Sequence, residues 1–222
     1  HEVLKDAAIC IANTRTEAQT IYRDCPKANV KVVHWAPGFG EEFLQQPVTD
    51  EFLRFTGLQS GEYILQVGRM QMRKNQLGSI LATKDLDIPL VFITTSTGPK
   101  YIETCLAAIK KWRKGPTFII GQDLPEEQLG PHRLIPMPNR QKLSTSMLHS
   151  AFGHAGLHLH PAFYELPGAT YFESLICGVP TIASTWTTVS KTPLHPALTR
   201  TNIDVAREIL EGVALGSNAS IL

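Results

Sequence analysis

The sequence has few cysteines, little charge and no long apolar run, and each shortage excludes something. Only 4 of 222 residues are cysteine. Cys10, Cys25, Cys105 and Cys177 stand far apart and no Cys-x-x-Cys occurs, which argues against a zinc ribbon or a thioredoxin-type centre. Such sparse thiols fit a reduced, packed set in a cytosolic protein. No apolar run approaches the roughly 18 residues that span a bilayer. The opening HEVLKDAAIC lacks the basic and apolar regions of a secretory leader. A cytoplasmic location is therefore expected, and the sequon Asn218-Ala219-Ser220 reads as chance. An excess of charge is missing too. With 21 Lys+Arg against 20 Asp+Glu the net charge is +1, which disfavours generic binding to nucleic acid or a membrane surface. The absence of Gly-x-Gly-x-x-Gly, Walker A and Gly-x-Ser-x-Gly disfavours a dinucleotide oxidoreductase, a P-loop NTPase and an α/β-hydrolase. There is no initial Met, and a piece of a longer protein is expected.

What is present is an alternation. Hydrophobic residues make up 43% of the chain, and the length suits one to two domains with a real core. Short apolar runs predict strands at 7–12, 30–35, 63–67, 90–95, 117–120, 133–135, 157–160 and 181–184. Amphipathic stretches predict helices at 16–23, 51–56, 75–81, 101–112, 143–155, 168–177 and 204–210. Thr14 or Thr16 is the expected N-cap of the first, and Gly178 the left-handed residue that ends the helix at 168–177. The class is α/β: a Rossmann-like parallel sheet with helices on both faces. The linker candidate lies at 41–61. Boundaries are expected near 45 and 200, with a main domain at 46–200 between the end of another domain at 1–45 and a tail at 201–222.

Ligands of open parallel sheets bind beyond the carboxyl ends of the strands, and three such ends carry chemistry. The first is Gly68-Arg69-Met70-Gln71-Met72-Arg73-Lys74. Here Gly68 lets backbone approach a ligand, while Arg69 and Lys74 suit phosphate. The second runs from His160-Pro161 to Glu173. Glu165 and Glu173 would lie about 12 Å apart along a helix axis, too far for an acid/base pair but suited to opposite ends of an elongated ligand. The N–H groups of Gly168, Ala169 and Thr170 at the helix start form an anion site. The third, Arg133 to Pro138, reads equally as an apolar slot for a base, with Pro136 and Met137, or as a turn capping the core. His154, His158 and His160 have metal-like spacing, but the break at Gly156 would scatter them, so no metal site is expected. His160 is left as a possible lining of the same pocket. Lys110, Lys111, Arg113 and Lys114 read as a solvated helix end.

Taken in order, Gly68-Arg69 with Lys74, then Pro161-x-x-Tyr164-Glu165 with Glu173, then the run Cys177-Gly178-Val179-Pro180-Thr181-Ile182-Ala183-Ser184 resemble the family 4 retaining glycosyltransferases of GT-B fold. Those enzymes carry G-R-x4-K, E-x7-E and a following C-G-x-P strand. The match runs from about Tyr63 to Ser184, and 8–43 is similar to the end of the family's first domain. The chain departs at Leu166-Pro167-Gly168, where Gly-Phe-Gly is usual, and at Thr187–Lys191, where a Gly-Gly-x-x-Glu turn is usual. The resemblance implies the donor-binding half of an enzyme that moves a hexose-type unit from a nucleotide diphosphate sugar to an acceptor hydroxyl with retention. Arg69 and Lys74 would hold the diphosphate, and Glu165 the sugar near its reacting carbon. Gly68, Gly168, Ala169 and Thr170 would touch sugar and phosphate, Pro136 and Met137 the base, and Glu173 the ribose. No metal or cofactor is implied. The acceptor, whether glycan, lipid or small molecule, would be bound by a missing N-terminal domain, which could also bring the protein to a membrane surface. The fragment alone would be inactive. The rivals are a non-catalytic GT-B domain that binds a nucleotide sugar or a partner protein, and a GT-B sugar-nucleotide epimerase or phosphorylase.

Overall fold

Runs of Ile, Leu, Val and Phe become strands that are buried along their whole length. The computed structural model describes residues 2–12, 15–32, 47–95, 98–122, 124–137, 143–165, 168–184 and 219–221. A first unit consists of α1 (Glu2–Asp6), β1 (Cys10–Ala12), α2 (Arg15–Asp24) and β2 (Val30–Val32), with β1 and β2 paired in parallel. Cys10, Cys25 and Ala28 form its small core.

The second unit opens with α3 (Glu51–Thr56) and β3 (Ile64–Val67), followed by α4 (Gln76–Ala82) and β4 (Leu90–Thr94). Then come α5 (Pro99–Trp112), β5 (Thr117–Gly121), β6 (Glu127–Leu129), β7 (His132–Pro136) and α6 (Thr145–Gly153). Last are β8 (Leu157–His160), α7 (Ala169–Ile176), β9 (Thr181–Ser184) and β10 (Ala219–Ile221). These strands form one sheet in the order β10-β9-β8-β3-β4-β5-β7-β6. The six inner strands are parallel, and β6 and β10 close the edges antiparallel.

Every residue of β3, β4, β5, β8 and β9 is buried, as a sheet covered on both faces requires. On one face Ile64, Phe92, Ile119 and Leu159 pack with Ile80 of α4 and Ile109 of α5. On the other, Leu65, Val91, Ile93 and Ile120 pack with Phe52 of α3 and Phe152 of α6. Helices this short are marginal alone. Each fully buried side chain contributes roughly 1.5–3 kcal/mol, so the sheet holds the helices in place.

Topology positions the site. From β3 the chain builds outward through β4, β5 and β7, then returns so that β8 pairs with the other side of β3. The strand order reverses there, which opens a crevice between the ends of β3 and β8. Gly68 and Pro161 follow those two strands.

Several boundaries differ from the sequence reading. The strand expected at 7–12 is only Cys10–Ala12, the stretch that pairs with Val30–Val32. Helix α2 already begins at Arg15, so Thr16 lies inside it and is not its cap. Helix α6 starts at Thr145 because the Ser144 hydroxyl caps it, accepting from the Met147 N–H at 3.1 Å. Gly178 is left-handed, with φ +70°, just past α7. Arg113 is not solvated. It is 5% exposed and donates to the carbonyls of Thr83, at 2.8 Å, and of Leu86 and Ile88, closing the turn between α4 and β4. The expected positions of Thr14, Pro138, Leu166-Pro167, the turn at 187–191 and the helix at 204–210 lie outside the described residues.

Candidate functional site

The turn after β3 is built by side chains that reach back to the backbone. Gln66 is a buried polar residue in an apolar strand. Its amide donates to the Lys74 carbonyl at 2.8 Å and accepts from the Ser79 hydroxyl at 2.7 Å. Gln76 donates to the Arg69 carbonyl at 3.0 Å. Thr94 accepts from the Met70 N–H at 3.1 Å. These bonds shape 68–75 into a bend ending in a 3-10 turn, Met72–Lys74. Asn75, at φ +56°, caps α4 by accepting from the Gly78 N–H at 3.1 Å, and its own amide donates to the Pro161 carbonyl at 3.0 Å. The Phe163 N–H donates to the Arg73 carbonyl at 2.9 Å. The loop after β8 is thus tied to the turn after β3.

Glu165 lies where these loops meet, and only 5% of it is exposed. Its Oε1 accepts from Lys74 Nζ and, at 3.1 Å, from His160 Nε2; its Oε2 accepts from Arg73 at 3.2 Å. Arg73 also donates to the Tyr164 carbonyl at 2.8 Å. Burial alone would raise the Glu165 carboxyl, but the hydrogen bonds and charges of His160 and Lys74 outweigh it and hold the carboxyl at about 2. Glu165 is therefore an anion at neutral pH. Burial lowers Lys74, which Glu165 opposes, and Arg73 and Arg69 add to the lowering. Burial likewise lowers His160, against the pull of Glu165.

Arg69 is exposed, and among the described residues its guanidinium has no hydrogen-bond or ion-pair partner. Across the crevice Gly168, at φ +82°, is the N-cap of α7. A Cβ there would lie 2.7 Å from the Tyr171 ring, so backbone form and space both require glycine. The first N–H groups of α7 have no acceptor within their own helix. Glu173 lies one turn further on. It is half-buried, and among the described residues its carboxyl has no hydrogen-bond or ion-pair partner. Burial pushes that carboxyl up to about 7.

The structure thus brings Gly68, Arg69, Lys74, Glu165, Gly168, Ala169 and Thr170 to one end of the sheet, with Glu173 further along α7. At the end of β7, Met137 is 5% exposed and packs in the core, while Pro136 is partly exposed. The break at Gly156 sets His154 apart, but it does not scatter the other two histidines as expected. His154 bonds Ser60 at 2.9 Å and the Thr49 carbonyl at 3.1 Å. His158 and His160 share a face of β8, with ring centroids 5.5 Å apart. Among the described residues no cluster of three or more His, Cys, Asp or Glu could hold a metal ion, and no helix is long and apolar enough to cross a membrane. Residues that motif spacing missed are Gln66, Asn75 and Arg73. Gln66 was signalled by being the one polar residue in YILQV.

No protein-family model and no curated sequence matches the chain. Solved structures match along nearly all of it. Sucrose-phosphate synthase from Thermosynechococcus elongatus has a TM-score of 0.62 at 18% identity, covering 98% of this chain and 53% of its own. Anabaena HepE in complex with UDP-glucose has a TM-score of 0.61 at 14% identity, covering 97% and 58%. Trehalose-6-phosphate synthase OtsA has a TM-score of 0.58 at 13% identity, covering 96% and 56%. The chain spans a little over half the length of each. The topology and these likenesses together establish a mixed α/β architecture of the GT-B glycosyltransferase fold.

Proposed function

We propose that this chain is the donor-binding half of a retaining glycosyltransferase of the family 4 type, and that it takes a nucleotide diphosphate sugar in the crevice between β3 and β8. One observation carries the reading. The loops after β3 and β8 meet through Lys74 and Glu165, with Arg69 on the first loop and α7, carrying Glu173, following the second. Arg69, with its guanidinium unpartnered among the described residues, and Lys74 meet the diphosphate together with the start of α7. Glu165 meets hydroxyls of the sugar. Glu173 meets hydroxyls of the ribose, which recover its ionised form. HepE, one of the similar structures, was solved with UDP-glucose.

In this reading the leaving diphosphate gathers negative charge as the glycosidic bond breaks. Arg69, Lys74 and the α7 N-terminus stabilise it, while Glu165 fixes the sugar as it takes on oxocarbenium character. The charge is met by side chains and backbone, so the reading calls on no metal. The unit at 1–45 belongs to the acceptor domain, the donor domain covers 46–200, and the acceptor is bound outside this chain. A cytoplasmic protein, at most peripheral to a membrane, fits this reading.

Calorimetric titration of the chain with UDP and with UDP-glucose tests it. Both are expected to bind. Arg69→Ala is expected to lower both affinities by about 1.5–3 kcal/mol with an unchanged melting temperature, because Arg69 is exposed on a turn. No binding by the unsubstituted chain, or unaltered affinity in Arg69→Ala, would contradict the reading.

A further inference from the structure

Lys74 has two claims on it. In the structure it bonds Glu165 Oε1, yet in the donor-site reading, on which this inference rests, it also serves the diphosphate. A lysine is a flexible point charge. If Lys74 turns toward phosphate, Glu165 needs other partners to stay where it is. Arg73 and His160 are two such partners. Arg73 donates to Oε2 at 3.2 Å, and its second bond, to the Tyr164 carbonyl at 2.8 Å, anchors the guanidinium to the backbone beside Glu165. His160 donates from Nε2 to Oε1 at 3.1 Å.

His160 is itself rigidly held. It is fully buried. Its ring meets Tyr171 edge-on with centroids 5.1 Å apart, and the Tyr171 hydroxyl donates to the His160 carbonyl at 3.0 Å. Gly68 lies beside the ring, where a Cβ would make ordinary van der Waals contact with His160 Cε1 at 3.5 Å. A carboxylate only accepts, so Nε2 must carry the hydrogen. Nδ1 is buried with no hydrogen-bond partner among the described residues. A second N–H at that position would be an unsatisfied donor, so Nδ1 keeps its lone pair and the ring is neutral.

We infer that Arg73 and His160 are positioning residues that keep the Glu165 carboxylate aimed at the sugar while Lys74 is engaged by phosphate, so that they govern recognition of the sugar and not of the nucleotide. Neither belongs to the fixed positions of the G-R-x4-K and E-x7-E pattern.

Affinities of UDP and UDP-glucose for three variants test this. Arg73→Gln and His160→Leu are expected to weaken UDP-glucose about tenfold and to leave UDP unchanged. His160→Gln places an amide N–H near the Nε2 position and is expected to restore most of the loss. Equal weakening of both ligands, or no change in either, would overturn the inference, as would failure of His160→Gln to rescue. If His160→Leu does not fold, Arg73→Gln on its surface turn still decides. Failure of the unsubstituted chain to bind either ligand would overturn the donor-site reading and the sugar selectivity built on it. A separate readout needs no ligand. Nitrogen-15 NMR of the unliganded chain is expected to show His160 as the neutral Nε2–H tautomer at pH 7, and a charged ring or an Nδ1–H tautomer would overturn the positioning geometry itself.

Discussion

Glu165 and Glu173 stand at either end of one short stretch, before and within the same helix, and both are withdrawn from water. Their carboxyls nevertheless move in opposite directions, to about 2 for Glu165 and about 7 for Glu173. Burial raises both. What differs is company. Glu165 accepts from Lys74, Arg73 and His160, whereas Glu173 has no hydrogen-bond or ion-pair partner for its carboxyl among the described residues. A buried carboxylate with donors on both oxygens holds structure together, here two loops across the crevice. A carboxyl withdrawn from water without donors makes ionisation costly until something supplies them. The hydroxyls of a ribose are such donors.

The comparison breaks most visibly in stability. Removing Glu165 leaves Lys74, whose side chain is 12% exposed, without its counter-charge. Glu165→Ala is expected to lower the unfolding free energy by about 3 kcal/mol in urea at pH 7, as loss of one member of a buried pair does. A loss near zero would mean that the cluster contributes nothing to the fold.

The second effect is smaller and is read from pH. Glu165 has a folded value near 2, below its ordinary 4.5. The unfolded state therefore binds its proton first as the pH falls, and the stabilisation, complete above the ordinary value, is lost on acidification toward the folded one. Glu173 has the opposite sign. Between its ordinary 4.5 and about 7 the unfolded carboxyl ionises before the folded one, so its contribution declines as pH rises through that window. Glu173→Gln is accordingly expected to stabilise the chain by on the order of 1–2 kcal/mol at pH 8 and to leave it unchanged at pH 4. Equal stability of variant and parent across that range would contradict the burial of an unpartnered charge.

How much of this was legible beforehand follows from which quantities spacing encodes. The parallel sheet and the strand ends that put Lys74 and Glu165 at one edge were readable, because apolar runs fix strands and strand ends fix where loops converge. The partners of Glu165 were not. Arg73 was one of the variable positions between Arg69 and Lys74, and His160 was read as a possible pocket lining, since periodicity carries no information on which way a side chain reaches. Strand β6, Glu127–Leu129, was invisible because its residues are largely exposed and polar, and it pairs only at the sheet edge. Arg113 was misread because a basic run at a helix end looks solvated. The chain turns inward at Gly115, whose missing Cβ would lie 2.5 Å from the Leu86 carbonyl oxygen, and brings the guanidinium under the carbonyls of the preceding turn.

The most direct test of the central claim is a paired calorimetric titration of Glu165→Gln and Glu173→Gln with UDP and with UDP-glucose. An amide keeps the shape of a carboxylate and loses its charged acceptors. The account predicts that Glu173→Gln weakens both ligands by about tenfold, because both carry the ribose, and that Glu165→Gln weakens UDP-glucose while sparing UDP. Glu173→Gln binding both ligands like the parent, or Glu165→Gln losing UDP, would contradict the order of ribose and sugar along the entry to α7.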